Sequence, residues 1–268
     1  MVRITDFLLL ASAAFAAPAA NTNTNTNNKR GSVSAADQPL PAVVKANSRA
    51  GDAQLVQSLL LAPTQKQRVN LLNQPGDFIF DFKNPPEGAT ATGKGGRLVS
   101  ANAETFPGLI GNGAAMSVAF LGPCGLNSPH VHNRATELNI PVKGRLVTSF
   151  FQENGATARE DLADTFTLAV FPQGAIHAEY NPDCEDAVFV AAFNNQDPGV
   201  EQVAQAFFSL RPDIVQSTLN GVDMLKGQDI ESFRDALPAN IVQGVESCLK
   251  KCGIPKNAKR DLSEVFGS

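Results

Sequence analysis

The chain has no tryptophan, one tyrosine, three histidines and four cysteines among its 268 residues. It therefore has little beyond phenylalanine from which to build the aromatic platform that a sugar- or polyol-binding barrel uses. Charge is scarce as well. Charged residues make up 18% of the chain, and 22 Lys and Arg against 26 Asp and Glu leave a net charge of −4. A nucleic-acid surface shows a clustered basic excess, so that class of partner is excluded. No apolar run approaches the roughly 20 residues that a membrane-spanning helix takes, so no membrane span is expected. What the chain does have is length. It can bury one substantial core without a metal or a disulfide framework, so a metal site would be there for chemistry.

Residues 1–16 read as a secretory signal peptide, with an apolar run at 7–17 after Met-Val-Arg and a small-residue Ala14-Phe15-Ala16 cleavage site. Residues 17–30 form a low-complexity Asn/Thr segment closed by Lys29-Arg30, either a solvated linker or a pro-segment removed after Arg30. The expected product is secreted and extracellular. Export places the cysteines in an oxidising compartment, where an even number pairs. Three connectivities exist, and Cys124–Cys184 with Cys248–Cys252 is the favoured one. The first pair flanks the histidine region, and the second sits four apart near the end of a helical stretch, where a bridge needs a distorted turn.

Residues 31–75 form an N-terminal extension in which leucines 55, 59, 60 and 61, behind an Asp52 cap, predict a short helix over 52–62. From 76 to 200 the texture is β-rich, with alternating segments at 78–82, 116–120, 145–151, 166–171 and 187–193 between Gly, Pro and Asn clusters. Many short strands with regular turn signals predict a mainly β sandwich or barrel. From 201 to 252 the pattern turns helical, with apolar faces over 212–219, 229–237 and 241–249, and 253–268 is a tail.

All three histidines, His130, His132 and His177, fall within the β region. A lone histidine is ordinarily a surface or hydrogen-bonded core residue. His130-Val131-His132 differs, because residues i and i+2 of a strand share a face and aim both imidazoles at one point. Glu137 opens the next strand beyond the Asn133-Arg134 corner, so its carboxylate can fold back toward the pair. His177 follows the Pro172-Gln173-Gly174 turn, which sets where its strand starts. Three imidazoles and a carboxylate without a thiolate fill part of an octahedron and leave positions open. That set suits manganese or iron and also accepts zinc, copper or nickel. Arg134 reads as a corner residue making an ion pair, and Glu179 and Tyr180 as packing residues of the His177 strand.

The segment from Cys124 through Pro129-His130-Val131-His132-Asn133-Arg134-Ala135-Thr136-Glu137 to Gly144 resembles cupin motif one, G(X)5HXH(X)4E(X)6G. The segment from Phe166 through Pro172-Gln173-Gly174-Ala175-Ile176-His177 to Asn181 resembles motif two, G(X)5PXG(X)2H(X)3N. Pro-His-x-His-x-Arg-Ala-Thr-Glu and Phe-Pro-Gln-Gly are similar to the wording of germins and germin-like proteins, and the stretches at 95–97, 122–125 and 193–199 to that of secreted spherulins. The resemblance covers roughly residues 75–250.

It implies a jelly-roll β-barrel with the metal inside, in a homo-oligomer whose contacts come from the C-terminal helices. By the same resemblance His130, His132, Glu137 and His177 match manganese ligands, and Asn127 matches an asparagine that holds substrate in oxalate oxidases. The second such asparagine falls at Ser117, shorter by an amide, which weakens oxalate as substrate. Three histidines in total rule out the second centre of the two-domain oxalate decarboxylases. Glu201, the nearest candidate for their lid carboxylate, reads rather as a solvated helix-start residue. Superoxide dismutation asks least of the protein and ranks ahead of oxalate oxidation, each using a small oxyanion or oxygen species. The alternative is a non-catalytic, cell-wall-associated protein of spherulin type. Cys124 and Phe166 stand where the two motifs begin with glycine. A Cys124–Cys184 clip would replace the first glycine's turn, and Phe166 is tolerated if its backbone keeps a negative φ.

Overall fold

A computed structural model describes residues 40–219, 237 and 240–255. The signal peptide, the Asn/Thr segment and the expected helix at 229–237, Leu237 apart, lie outside the described residues. The chain divides into residues 1–42, of which only the exposed residues 40–42 are described, and a compact unit of residues 43–268. Everything that follows concerns the second.

Two helices open that unit. Helix α1 (Ala53–Leu61) starts where the leucine pattern predicts, with the Asp52 carboxylate accepting from the Leu55 amide at 2.9 Å. Helix α2 (Gln65–Leu71) was not foreseen, although Thr64-x-x-Gln67 is a capping box in which each side chain accepts from the other's backbone amide. Leu55, Leu59, Leu72 and Ile110 form a small core there. The strand expected at 78–82 does not form. Ile79 N–H closes a turn on the Gly76 carbonyl instead, and Phe80 packs on Phe82 and Phe106 with ring centroids 4.9 and 5.4 Å apart. Local turn geometry and aromatic packing outweigh the alternating pattern.

The rest is a sandwich of two antiparallel sheets. In one, the order is β1 (Thr90–Gly93), β2 (Gly96–Ala101), β3 (Ala115–Leu121), β10 (Ala187–Phe193), β5 (Glu137–Lys143) and β8 (Ala169–Phe171). In the other it is β11 (Glu201–Gln202), β4 (Gly125–Val131), β9 (Ile176–Tyr180), β6 (Leu146–Phe151) and β7 (Arg159–Ala163), with β12 (Ile241–Gln243) also on β4. From β3 to β11 the chain crosses between the sheets at every step except β6 to β7, which makes the sandwich a jelly roll. Strand alternation buries Ala119, Leu121, Leu146, Phe189 and Phe193 between the layers.

The C-terminal region keeps the helix expected at 212–219 and departs from the helical expectation at 201 and at 241–249. Glu201 lies in a strand paired with Val131 rather than at a helix start, and α3 (Val203–Phe208) and α4 (Pro212–Leu219) follow. The apolar stretch at 241–249 divides into β12 and a short helix, α5 (Glu246–Lys251). Pairing with β4 places Ile241 opposite Asn127 and buries it in the barrel core, a gain that a surface helix could not supply. The glycines around it make room. A Cβ on Gly95 would stand 1.8 Å from the Val242 carbonyl oxygen, and one on Gly244 1.8 Å from that of Cys124.

The disulfides are Cys124–Cys248 and Cys184–Cys252, with Cα–Cα distances of 5.7 and 5.4 Å, not the pairing favoured from the sequence. Helix α5 explains the correction. Its regular turn carries Cys248 and Cys252 on one face, so each reaches outward, one to the head of β4 and the other to the loop after β9. The two motif-initial residues also differ from expectation, because Cys124 and Phe166 hold positive φ, +56° and +62°. The left-handed turn that glycine would provide is kept, with a side chain forced into it.

Candidate metal centre

The jelly roll brings the ends of two strands of one sheet and of one strand of the other to a single point inside the barrel. His130 is on β4, directly opposite His177 on β9, and His132 stands just past the end of β4. Glu137 is the first residue of β5 in the facing sheet. The carboxylate thus folds back across the Asn133-Arg134 corner, as the sequence suggested. Among the described residues these four form a group whose ligating atoms all lie within 4.8 Å of one another, and every member is buried. Glu137 Oε2 lies 3.0 Å from His132 Nε2 and 3.1 Å from His177 Nε2.

The outer nitrogens are already committed. His130 Nδ1 donates to the Ser128 carbonyl and His177 Nδ1 to the Ala175 carbonyl, each at 2.9 Å, and His132 Nδ1 bonds the Gly199 carbonyl. A carbonyl only accepts, so each neutral ring carries its proton on Nδ1 and turns a lone pair on Nε2 inward. Lone pairs then face a carboxylate oxygen. Such a cluster needs either a proton or a cation at its centre, and the donor set fits a metal. The other Glu137 oxygen accepts from Asn139 Nδ2 at 3.1 Å. Phe171 stacks on His177 with centroids 4.5 Å apart, and Phe193 packs on His132 at 4.6 Å.

Burial, and then the charge of His177, pushes His130 down to about 3. Burial would raise the Glu137 carboxyl, but in the metal-free cluster the hydrogen bonds it accepts from His132 and His177 when a proton occupies the centre outweigh burial and hold the group well below the usual carboxylate range. Glu179 goes the other way, raised well above its ordinary value by burial and by the Glu137 charge. It is 0% exposed and accepts from Asn127 Nδ2 at 3.0 Å.

Asn127 and Ser117 both line the cavity beside the cluster, and Ser117 shares a 2.9 Å hydrogen bond with Ser100. Arg134 pairs with Asp197 at 2.8 Å, and Glu201 accepts from Asn133 Nδ2 at 3.2 Å near the mouth. The sequence reading missed Asn139 and treated Glu179 as mere packing. Each lies two residues beyond a cluster member on the same strand, so the period of two that placed the histidines also aims these side chains inward.

Barrel and cluster together define a jelly roll with an interior three-histidine, one-carboxylate metal site. The family model described as Cupin matches residues 80–222, just over half of the chain, and the chain belongs to that family. It is 43% identical over 206 residues to Spherulin-1A of Physarum polycephalum, covering 77% of this chain and 82% of the spherulin. It is 32% identical over 203 residues to Germin-like protein 1-3 of Oryza sativa subsp. japonica, covering 70% of this chain and 89% of the relative. Among solved structures, a recombinant oxalate oxidase in complex with glycolate aligns with a TM-score of 0.50 at 24% identity, over 58% of this chain and 80% of that one, a likeness of fold. No helix among the described residues is long and apolar enough to cross a membrane.

Proposed function

We propose that this protein is a secreted, manganese-binding germin-like cupin that acts on a small oxygen species, superoxide ahead of oxalate. The observation that carries the reading is the commitment of all three Nδ1 atoms to backbone carbonyls, which leaves three Nε2 lone pairs and a carboxylate converging on one point. His130, His132, Glu137 and His177 would hold the ion, which when bound supplies a redox centre with open coordination positions. The protein's part is to fix the ligands from both sheets and to exclude bulk water with Phe171 and Phe193. Oxalate is second because Ser117 is short and already bonded to Ser100.

Secretion is supported by the four paired cysteines. Self-association is supported by the outer face of the β3-β10-β5-β8 sheet, where Met116, Leu138, Val142 and Val170 are 37–47% exposed and Leu138 lies opposite Val170. One observation favours the non-catalytic, wall-associated reading: identity to the spherulin, 43%, exceeds that to the germin-like relative, 32%.

The test is metal content by elemental mass spectrometry on protein secreted from a eukaryotic host, followed by superoxide and oxalate assays. One manganese per chain, lost in His130→Ala with the fold retained, is the expected result. Stoichiometric metal without turnover would select the structural reading, and equal metal in both proteins would overturn the site.

A further inference from the structure

The three histidines of the cluster are not held alike. His130 and His177 donate Nδ1–H to carbonyls two residues before them, so each ring is set by its own stretch of chain. His132 stands past the end of β4, and its Nδ1 bonds the carbonyl of Gly199, 67 residues further along. The orientation of this ring therefore depends on where the loop at 194–200, between β10 and β11, holds one carbonyl group.

Arg134, two residues beyond His132, grips that loop. Its backbone N–H donates to the Pro198 carbonyl at 3.1 Å, its Nε to the Asp197 carbonyl at 2.8 Å and its Nη2 to the Asp197 carboxylate at 2.8 Å. The guanidinium also lies against Gly199, where a Cβ would stand 2.9 Å from Nη2 and 3.1 Å from Cζ. Gly199 holds φ +68°, left-handed backbone that favours glycine, so this residue both makes the turn and admits the guanidinium. Other bonds tie the loop further out. The Gln196 carbonyl accepts from the Ala103 N–H at 2.8 Å, and Glu201 pairs with Val131. They bracket residues 197–199, and Arg134 grips the turn itself.

The grip matters because the His132 ring has two places for its proton. Glu137 Oε2 lies 3.0 Å from Nε2, so a neutral ring without the Gly199 carbonyl gains by moving its proton from Nδ1 to Nε2 and donating to the carboxylate. That tautomer spends the lone pair that a metal needs.

We propose that Arg134 is a positioning residue for His132. By gripping residues 197–199 it holds the Gly199 carbonyl on Nδ1 and keeps the Nε2 lone pair turned into the cluster. The use of that lone pair rests on the proposed metal site, whereas the orientation of the ring stands without it.

The test takes full-length secreted protein carrying 15N-labelled histidine, strips metal with a chelator, and reads by NMR how fast each Nδ1 proton exchanges with water. Only three rings contribute, and His132→Gln identifies one of them. In Arg134→Gln the His132 proton is expected to exchange about tenfold faster or more, with His130 and His177 unchanged. Asp197→Ala removes only the carboxylate end of the grip and is expected to shift the same ring by less. Manganese affinity in Arg134→Gln, read by competition with a chelator, is expected to fall about three- to tenfold, less than for loss of a ligand's direct partner. The Arg134–Asp197 pair is well exposed, so the melting temperature of the chelated protein is expected to stay within about 2 °C. A role in stability alone would instead lower the melting temperature and speed exchange at all three rings. That result, unchanged exchange at His132, or manganese held equally by wild type and Arg134→Gln would each overturn the inference and leave the metal site standing. The His132 signature with no manganese held by either protein would sink the metal reading and leave this inference standing.

Discussion

His130 and His177 stand directly opposite each other across the β4–β9 ladder, with ring centroids 4.1 Å apart, and each donates Nδ1–H to the carbonyl two residues before it, Ser128 on β4 and Ala175 just ahead of β9. The two imidazoles are oriented by the same local device in antiparallel neighbours. Their inner nitrogens therefore converge, with the turn that ends at Ala175 fixing the His177 ring.

Metal binding should stabilise the fold measurably. A ligand held only by the native state at a hundredfold over its dissociation constant contributes about 2.7 kcal/mol. Manganese added to chelated protein is therefore expected to raise the melting temperature by roughly 5–10 °C, and His177→Ala should abolish the increment. Asn139→Ala frees one Glu137 oxygen and should weaken manganese by about 10- to 100-fold, as read by competition with a chelator.

Acid should destabilise the metal-free protein. The unfolded chain protonates His130 near 6.5, whereas the folded form resists until about 3, so between those values the unfolded state binds the extra proton. Stability is full above about pH 6.5 and falls as pH drops toward 3, with a slope up to about 1.4 kcal/mol per pH unit. The depressed Glu137 adds a loss in the same direction below its ordinary range. Urea unfolding at several pH values measures this, and His130→Gln should flatten the slope.

Glu179 predicts the opposite sign. Its raised carboxyl keeps a proton in the fold that the unfolded chain releases, so its contribution declines as pH rises above the ordinary glutamate range. Glu179→Gln should gain stability relative to wild type as pH increases from 4 to 8. A constant difference across that range would rule this out.

Peptide mapping under non-reducing conditions should recover Cys124–Cys248 and Cys184–Cys252. The first closes a loop with a sequence separation of 124, and replacing both of its cysteines with serine should cost about 3–5 kcal/mol by urea unfolding. The same change at Cys184 and Cys252, with a separation of 68, should cost slightly less on the loop-entropy account.

Phe166 sits at φ +62° with its side chain 78% exposed, so it carries left-handed strain and buries little in return. Phe166→Gly should remove about 1–2 kcal/mol of strain, against about 0.5–1 kcal/mol from glycine's extra unfolded freedom. A small net rise in melting temperature is the expected outcome. A fall would mean that Phe166 contributes packing, for instance against a second copy of the chain.

The sequence by itself determined the barrel and the cluster. Strand alternation has a period of two, so His130 and His132 had to share a face, and the two motifs set the spacing that brings Glu137 and His177 to them. The helix after Asp52 was legible for the same kind of reason, since capping and leucine spacing act within a few residues. What tertiary structure decided were the long-range choices. Only the β4 edge made Ile241–Gln243 a strand, because pairing and core burial outweigh a weak helical preference. Only the placement of helix α5 against both the head of β4 and the loop after β9 chose among the disulfide pairings. The cavity was out of reach as well. Its walls come from strands of both sheets, and no local pattern says that several alanines will face one another across a space beside the histidines.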